Sequence, residues 1–523
     1  MGRDILFKIV GVIVTLVLLI KFLAIFIIEP GIRERINAEL NEENRGYLVE
    51  IDKVHILIIR SGVELENIRI HSKEEQKNEW NLNGVIASMK FKGIRLPKAI
   101  FKKDIYFREV IISNSYIKGK IPFSREAIPP IVTPFNLWIS KILFDTIDIE
   151  IENTLNPQAY SVKEGVLKVN GLQLKKLDTL SLSIINQFDF GAEKIVAVSP
   201  DGMHSYTAGG IIYSEASNSF AIDCFSVHPN YEDYDFTSRY QFQTSRIESL
   251  FSNISFYDFS PADYLSSGNL ISSWIEIGKM DMKVFRDKRK EFRHTNKPVF
   301  QNLIYNYPGI IQIDSIGLLD GDVTYAEHAE EANDPGIVSF NEINAKIYKI
   351  SNDTIYKTRS AFLELKGNAL LMGKGKMTIL LKGRIFDSQN TFSLDGTLLD
   401  MEANELNPIL EKSAFVYITS GKIDAMNFSF TANNTKATGE MTLLYNGLFV
   451  TVKNKRTDDT TALRERFISF IANRRVLDSN PVQGEEVRVG IIDSKRDPER
   501  FLIHYCFRSI LSGMKSSFMR NPK

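Results

Sequence analysis

The chain has 523 residues, 44% of them hydrophobic and 24% charged, a composition too apolar for disorder and long enough for several domains. Its 64 Lys and Arg balance 64 Asp and Glu, so no net field recruits nucleic acid or an acidic substrate. With only Cys224 and Cys506, a disulfide framework and a CxxC zinc site are excluded, and whether those two pair is left open.

Residues 5 to 28, ILFKIVGVIVTLVLLIKFLAIFII, are the one long apolar run. As a helix they reach about 36 Å, enough for a hydrocarbon core of about 30 Å. Ile9, Leu16 and Ile28 sample its apolar surface, and Lys21 is the exception. A mid-span Lys costs roughly 2.5–3.5 kcal/mol, while each Leu, Ile, Val or Phe around it returns roughly 0.3–0.6 kcal/mol, so the sum favours insertion. A cleaved signal peptide is the competing reading; the run is long for one and lacks a small-x-small site before Glu29-Pro30. Arg3 and Lys8 favour a cytoplasmic N-terminus, which sends the remainder across the membrane. Residues 1–30 are therefore read as the anchor.

In residues 31–46, Ile32, Ile36 and Leu40 predict a short amphipathic helix ending near Asn44 to Gly46. Strands follow, as in VHILI at 54–58, IDIEI at 147–151, TILLKGRIF at 378–386 and MNFSF at 426–430. One pattern recurs, with apolar residues at offsets 0, 2, 5 and 7: VELENIRI at 63–70, LKVNGLQL at 167–174, IEIGKMDM at 275–282 and IQIDSIGL at 311–318. Looser copies are IYFREVII at 105–112 and ILFDTIDI at 142–149. The step of three reverses side-chain parity, so each copy predicts a bulged strand or two short strands around a turn. Irregular spacing argues against a strict solenoid and for a meander of many strands.

The segment YLVEIDKVHILIIRSGVELENIRI at 47–70 and the phrase DIYFREVIISNSYIKGKI at 104–121, following a membrane helix, resemble the start of AsmA-like envelope proteins of Gram-negative bacteria. Residues 392–452 are similar to that family's C-terminal region, with Leu406-Asn407-Pro408, Ser420-Gly421, Gly439 and Tyr445 at matching positions. The resemblance implies an inner-membrane protein, single-pass, with a periplasmic body related to bridge-like lipid transfer proteins. It also implies a sheet curled into an apolar groove, and a role in phospholipid transport or outer-membrane homeostasis. The expected architecture is thus mainly β. An N-terminal transmembrane helix precedes an elongated, curved antiparallel sheet over 47–460, and a C-terminal cap with a basic amphipathic helix occupies 461–523. Ile275, Ile277, Ile311, Ile313, Ile316 and Leu318 are the candidate groove lining. The partners expected are phospholipid or another acyl-chain lipid, the inner membrane and envelope proteins; no cofactor and no nucleic acid are expected.

Signals for catalysis are weak. The seven histidines are scattered without an HExxH. Glu327, His328, Glu330 and Glu331, in TYAEHAEEANDPG, form the densest set of possible ligands and are read as a solvated hairpin tip in preference to a metal site. KGNALLMGKGK misses the spacing of a phosphate loop, and strand turns explain its glycines. The basic stretch FRDKRKEFRH at 285–294 is weighed as a headgroup contact against a charged strand edge, with the edge favoured. At the C-terminus, Asp497-Pro498-Glu499 reads as a helix start, and Phe507, Ile510, Leu511, Met514 and Phe518 as its apolar stripe, capping the sheet in preference to lying on a membrane. The function expected is a non-enzymatic lipid carrier; the alternatives are a scaffold or assembly factor for outer-membrane components and a membrane-anchored envelope hydrolase.

Overall fold

The structure is a computed structural model that describes residues 29–41, 47–57, 61–73, 81–94, 104–121, 136–153, 158–174, 185–357, 362–452 and 476–519. The anchor positions Ile9, Leu16, Lys21 and Ile28 lie outside the described residues, and among those that are described no helix is long and apolar enough to cross a membrane. The stretch expected as one body divides into two compact units, Met1–Ser217 and Asn218–Lys523. Both are mainly β.

The first unit carries one described helix, α1 (Glu29–Leu40), and nine strands: β1 (Tyr47–Leu57), β2 (Gly62–Ser72), β3 (Asn81–Lys92), β4 (Asp104–Phe107), β5 (Glu109–Ile121), β6 (Asn136–Asn153), β7 (Gln158–Leu174), β8 (Ile185–Val198) and β9 (His204–Ser214). Helix α1 stops at Leu40, a turn short of the expected end. The strands pair in the order β1, β2, β3, β5, β6, β7, β8, β9. The expectation of an antiparallel sheet needs correction here, because β6 runs parallel to β5 and to β4. A parallel join needs a long crossover, and the chain between Ile121 and Asn136 is long enough to supply one.

The recurring pattern has a backbone cause. In VELENIRI, Asn67 takes φ 51; in ILFDTIDI, Thr146 takes φ 62; in LKVNGLQL, Gly171 takes φ 73. Each left-handed residue is fifth of eight, and it turns the chain by half a pleat so that the next apolar residue faces the same side as the pair before it. The other looser copy, IYFREVII, is interrupted at Arg108, between β4 and β5. These steps line up across strands. Ladder pairs Ile51–Ile68, Ile68–Ile86, Ile86–Ser115 and Ser115–Ile147 flank a crease that passes through Asn67, Asn114 and Thr146, with Glu164 of β7 and Gly210 of β9 continuing it, all at positive φ. Asn and Gly tolerate this conformation; Thr146, being β-branched, pays roughly 1–2 kcal/mol for it.

The second unit comprises β10 (Ser219–Pro229), α2 (Asp233–Ser238), β11 (Ser245–Tyr257), α3 (Pro261–Ser267), β12 (Leu270–Asp287), α4 (Phe300–Tyr305), β13 (Ile311–His328), β14 (Gly336–Ser351), β15 (Leu363–Leu371), β16 (Gly375–Gly383), β17 (Phe392–Glu402), α5 (Asn407–Ser413), β18 (Val416–Ala432), β19 (Lys436–Val452), β20 (Val489–Lys495) and α6 (Leu502–Phe518). From β10 to β20 each strand pairs with the next, antiparallel except for the parallel pair β12–β13, whose crossover contains α4. IEIGKMDM and IQIDSIGL run through unbroken strands, and the left-handed residues sit beside them: Asn253 against Gly278, and Lys349 against Asp314. KGNALLMGKGK is a hairpin turning at Met372 and Gly373, both at positive φ, as the turn reading expects.

Helix α6 begins at Leu502, not at Asp497, whose carboxylate accepts the Glu499 amide at 3.0 Å in a preceding turn. Its buried stripe is also shifted. Ile510, Met514 and Phe518 pack on the core as expected, but Phe507 is 56% exposed, and the closest approach is made through Tyr505, Ser509, Gly513 and Ser517. Small residues let the helix backbone settle onto Gly490 and Ile492, a contact that outweighs burying one more Phe.

Because the crease strains Thr146, Thr146→Gly should raise the stability of the first unit by about 0.5–1 kcal/mol once glycine's extra chain entropy is deducted. A thermal melt of the variant against the native chain measures this.

Candidate functional site: the apolar face of the sheet

In the first unit the crease keeps one face apolar from end to end. Val110, Ile112, Ile142, Phe144, Ile147, Ile149, Leu167, Val169, Phe190, Ile211 and Tyr213 all lie on it, matched across strands by register. The opposite face carries an ion ladder: Lys92–Glu109 at 2.9 Å, Lys141–Glu109 at 3.0 Å, Lys163–Glu150 at 3.3 Å, Lys120–Glu152 at 2.7 Å and Lys168–Asp189 at 3.0 Å. Hydrogen bonds from Lys92 and then Lys141 hold Glu109 below the usual carboxylate range. Each exposed pair contributes only about 0–1 kcal/mol, so the ladder marks the solvent side more than it stabilises the sheet.

Helix α1 covers the apolar face at one end, where Ile32 and Ile36 pack on Val49, Ile51, Val54, Leu65, Ile68 and Ile86. Among the described residues no helix lies over β6 to β9. There Ile142, Phe144, Ile147, Ile149 and Leu167 are half-buried, while Val169 of β7 and Ile211 and Tyr213 of β9, on the same face, are buried. A half-covered apolar strip on a sheet whose other face is charged is what acyl chains or another apolar partner would fill.

The candidate lining residues belong to the second unit, and the structure puts all six on one face. Leu270, Ser272, Ile275 and Ile277 of β12 stand opposite Ile311, Ile313, Ile316 and Leu318 of β13. Their surroundings differ. Ile275 and Ile313 are 6% and 3% exposed in a cluster with Ile350, Leu363 and Ile385, under Phe300 and Ile304 of α4, and Ile311 and Ile316 pack at its margin. Ile277 and Leu318 are half-buried and stand outside that cluster, with Ile277 opposite Ile254 of β11. Further along, α6 closes the face of β17 to β20 over Phe392, Phe430, Met441 and Ile492.

The Glu327–His328 cluster is not a solvated tip. Glu327 and His328 are 9% and 3% exposed, and Tyr234 of α2 reaches His328. His328 Nε2–H donates to the Ala332 carbonyl at 2.9 Å, which leaves Nδ1 to accept from the Tyr234 hydroxyl at 2.8 Å. Glu327 accepts from the Tyr325 hydroxyl at 2.7 Å and pairs with Lys288 at 2.6 Å. Glu330 and Glu331 are exposed, and among the described residues no three His, Cys, Asp or Glu gather as a metal site. The basic stretch is absorbed likewise: Arg289 forks onto Asp287 at 2.9 Å, Lys290 Nζ donates to the Thr237 carbonyl at 2.7 Å at the end of α2, and His294 meets Glu499 at 2.9 Å. Cys224 and Cys506 are both free, and burial pushes the Cys506 thiol up to about 12.

Sequence reasoning missed a hollow of about 540 Å³ on the charged face of the first unit, floored by Val85, Tyr116, Val196 and Val198 and rimmed by Lys118 and Glu152. Apolar residues at outward parity were its only signal, and that parity is unreadable without knowing where the crease falls.

The residues behind the family resemblance have structural work. Asn407 bridges both backbone groups of Ile418, accepting at 2.8 Å and donating at 2.9 Å, and the Tyr445 hydroxyl donates to the Leu477 carbonyl at 3.1 Å. A Cβ on Gly439 would collide with the Ser429 carbonyl. No family model matches the chain, and no curated protein matches it.

A carboxylate separates the two environments in the second unit. Ile313→Glu places a charge in a closed core and should cost several kcal/mol, about 3–5, enough to unfold the unit. Ile277→Glu keeps a route to water and should shift the melting temperature far less. Thermal melts of both variants decide; equal losses would make Ile277 part of a closed core.

Proposed function

We propose that the chain is a membrane-anchored protein of the Gram-negative envelope whose apolar sheet face carries acyl chains of phospholipid, with a role in lipid transport or outer-membrane homeostasis. One observation carries this reading: the crease holds a continuous apolar face across β5 to β9 while the reverse face is charged, and no described helix covers β6 to β9. Folding alone rewards burying such a face, and the second unit does so with α4 and α6. A face kept apolar and left without such a helix is suited to a removable apolar ligand. The AsmA-like resemblance and the apolar run at 5–28 point to the same compartment. Affinity here is collective, spread over many side chains at about 25 cal/mol per Å² of buried apolar area, so no single polar residue is required.

The lining is thereby moved from β12 and β13 toward β6 and β7. A photo-crosslinking amino acid at Phe144 or Ile149 should capture phospholipid in cells, while one at Asp145 or Asp148, on the charged face, should not. Capture from both faces alike, or from neither, would remove the lipid reading and favour the scaffold.

A further inference from the structure

The two sheet edges are closed in an unusual way. Among the described residues, β1 pairs only with β2 and β20 only with β19, so each has an outward row of backbone groups. Helix α1 satisfies the first row with side chains at i, i+4, i+8 and i+12. Glu29 accepts the Ile56 amide at 2.8 Å, and Arg33 donates to the Asp52 carbonyl at 3.1 Å. Asn37 accepts the Ile51 amide at 3.1 Å, and the Asn41 side chain accepts the Val49 amide and donates to the Val49 carbonyl, both at 2.6 Å. Helix α6 repeats the device with other residues: Ser516 accepts the Ile491 amide at 2.9 Å, and Ser512 accepts the Asp493 amide at 3.0 Å while donating to its carbonyl at 2.9 Å.

We infer that α6 occupies a strand-addition site, and that the edge of β20 beneath it accepts β20 of a second copy of this chain when the helix is displaced. The backbone groups that the serines bind are those a neighbouring strand would bind. The occupant follows from the strand's own outer face, where Val489 and Ile491 are 47% and 55% exposed beside Glu440 and Thr442 of β19. Antiparallel pairing about Gly490 sets Val489 against Ile491 of the second copy and the reverse, a self-complementary contact between β-branched residues with outward amides at both positions. The seat of α6 rests on Gly513, whose Cβ, if present, would stand 2.7 Å from Ile492 Cγ1.

The test uses the full chain. Ser512→Val/Ser516→Val removes the hydroxyls and with them the edge bonds, at the cost of one added methyl at each position; hydrogen exchange at the Ile491 and Asp493 amides should rise about tenfold. Gly513→Leu lifts the helix and should produce a concentration-dependent dimer by sedimentation, and adding Ile491→Pro, which deletes an edge amide, should restore the monomer. Unchanged exchange in the double-valine variant overturns the inference. So does a Gly513→Leu chain that stays monomeric, or one whose association survives Ile491→Pro, since the exposed core would then be the contact. Should Gly513→Leu fail to fold, the double-valine variant at high concentration takes its place, dimer supporting and monomer overturning.

Discussion

A β-strand alternates its side chains with a period of two, and that rule alone would limit an apolar face to sequences that alternate without error. This chain escapes the limit by placing single left-handed residues at matching register. Asn67, Asn114 and Thr146 shift the phase of three strands along one line, and the apolar residues on both sides of the line share a face. Everything else in the first unit depends on this. The ion ladder occupies the other face because the crease sends every second Lys and Glu there on both sides of the step.

The two units use that amphipathic sheet differently. In the second, helices α4 and α6 close most of the apolar face, and Ile275, Ile313, Phe392 and Met441 form ordinary core. In the first, α1 covers the end strands through Ile32 and Ile36. The lipid-handling proposal follows from the contrast within a single chain, where the same arrangement is finished with helices in one unit and, among the described residues, has none over β6 to β9 in the other. Helices α1 and α6 share a further task at the strand edges, and each does it with polar side chains on a helix that also buries an apolar side.

Much of this was legible in the sequence. The offset pattern in VELENIRI predicted a parity reversal, as a bulge or a turn; that a single left-handed residue at the fifth place makes it, and that such residues line up across strands, was seen only in the structure. The six candidate residues of β12 and β13 were placed on a common face by the same reasoning. What covers a face was not legible: nothing in IQIDSIGL tells that Phe300, in a six-residue helix, lies over Ile313. The Glu327–His328 cluster misled for a related reason, since polar composition and a following Pro335-Gly336 suggest solvent, while Tyr234, from a distant helix, buries it. The stripe of α6 was misjudged because large apolar residues were counted, whereas Gly513 and Ser517 set the contact. The parallel joins came from long crossovers, which strand patterns do not report.

The central claim is that the crease at Thr146 reverses parity within β6. With Cys224 and Cys506 replaced by Ala, single cysteines from Leu143 to Glu150 can be timed for reaction with a water-soluble maleimide. The account predicts slow reaction at Phe144, Ile147 and Ile149 and fast reaction at Asp145, Asp148 and Glu150, a step of three between protected sites. Strict alternation, with Ile147 reacting like Asp145, would contradict it.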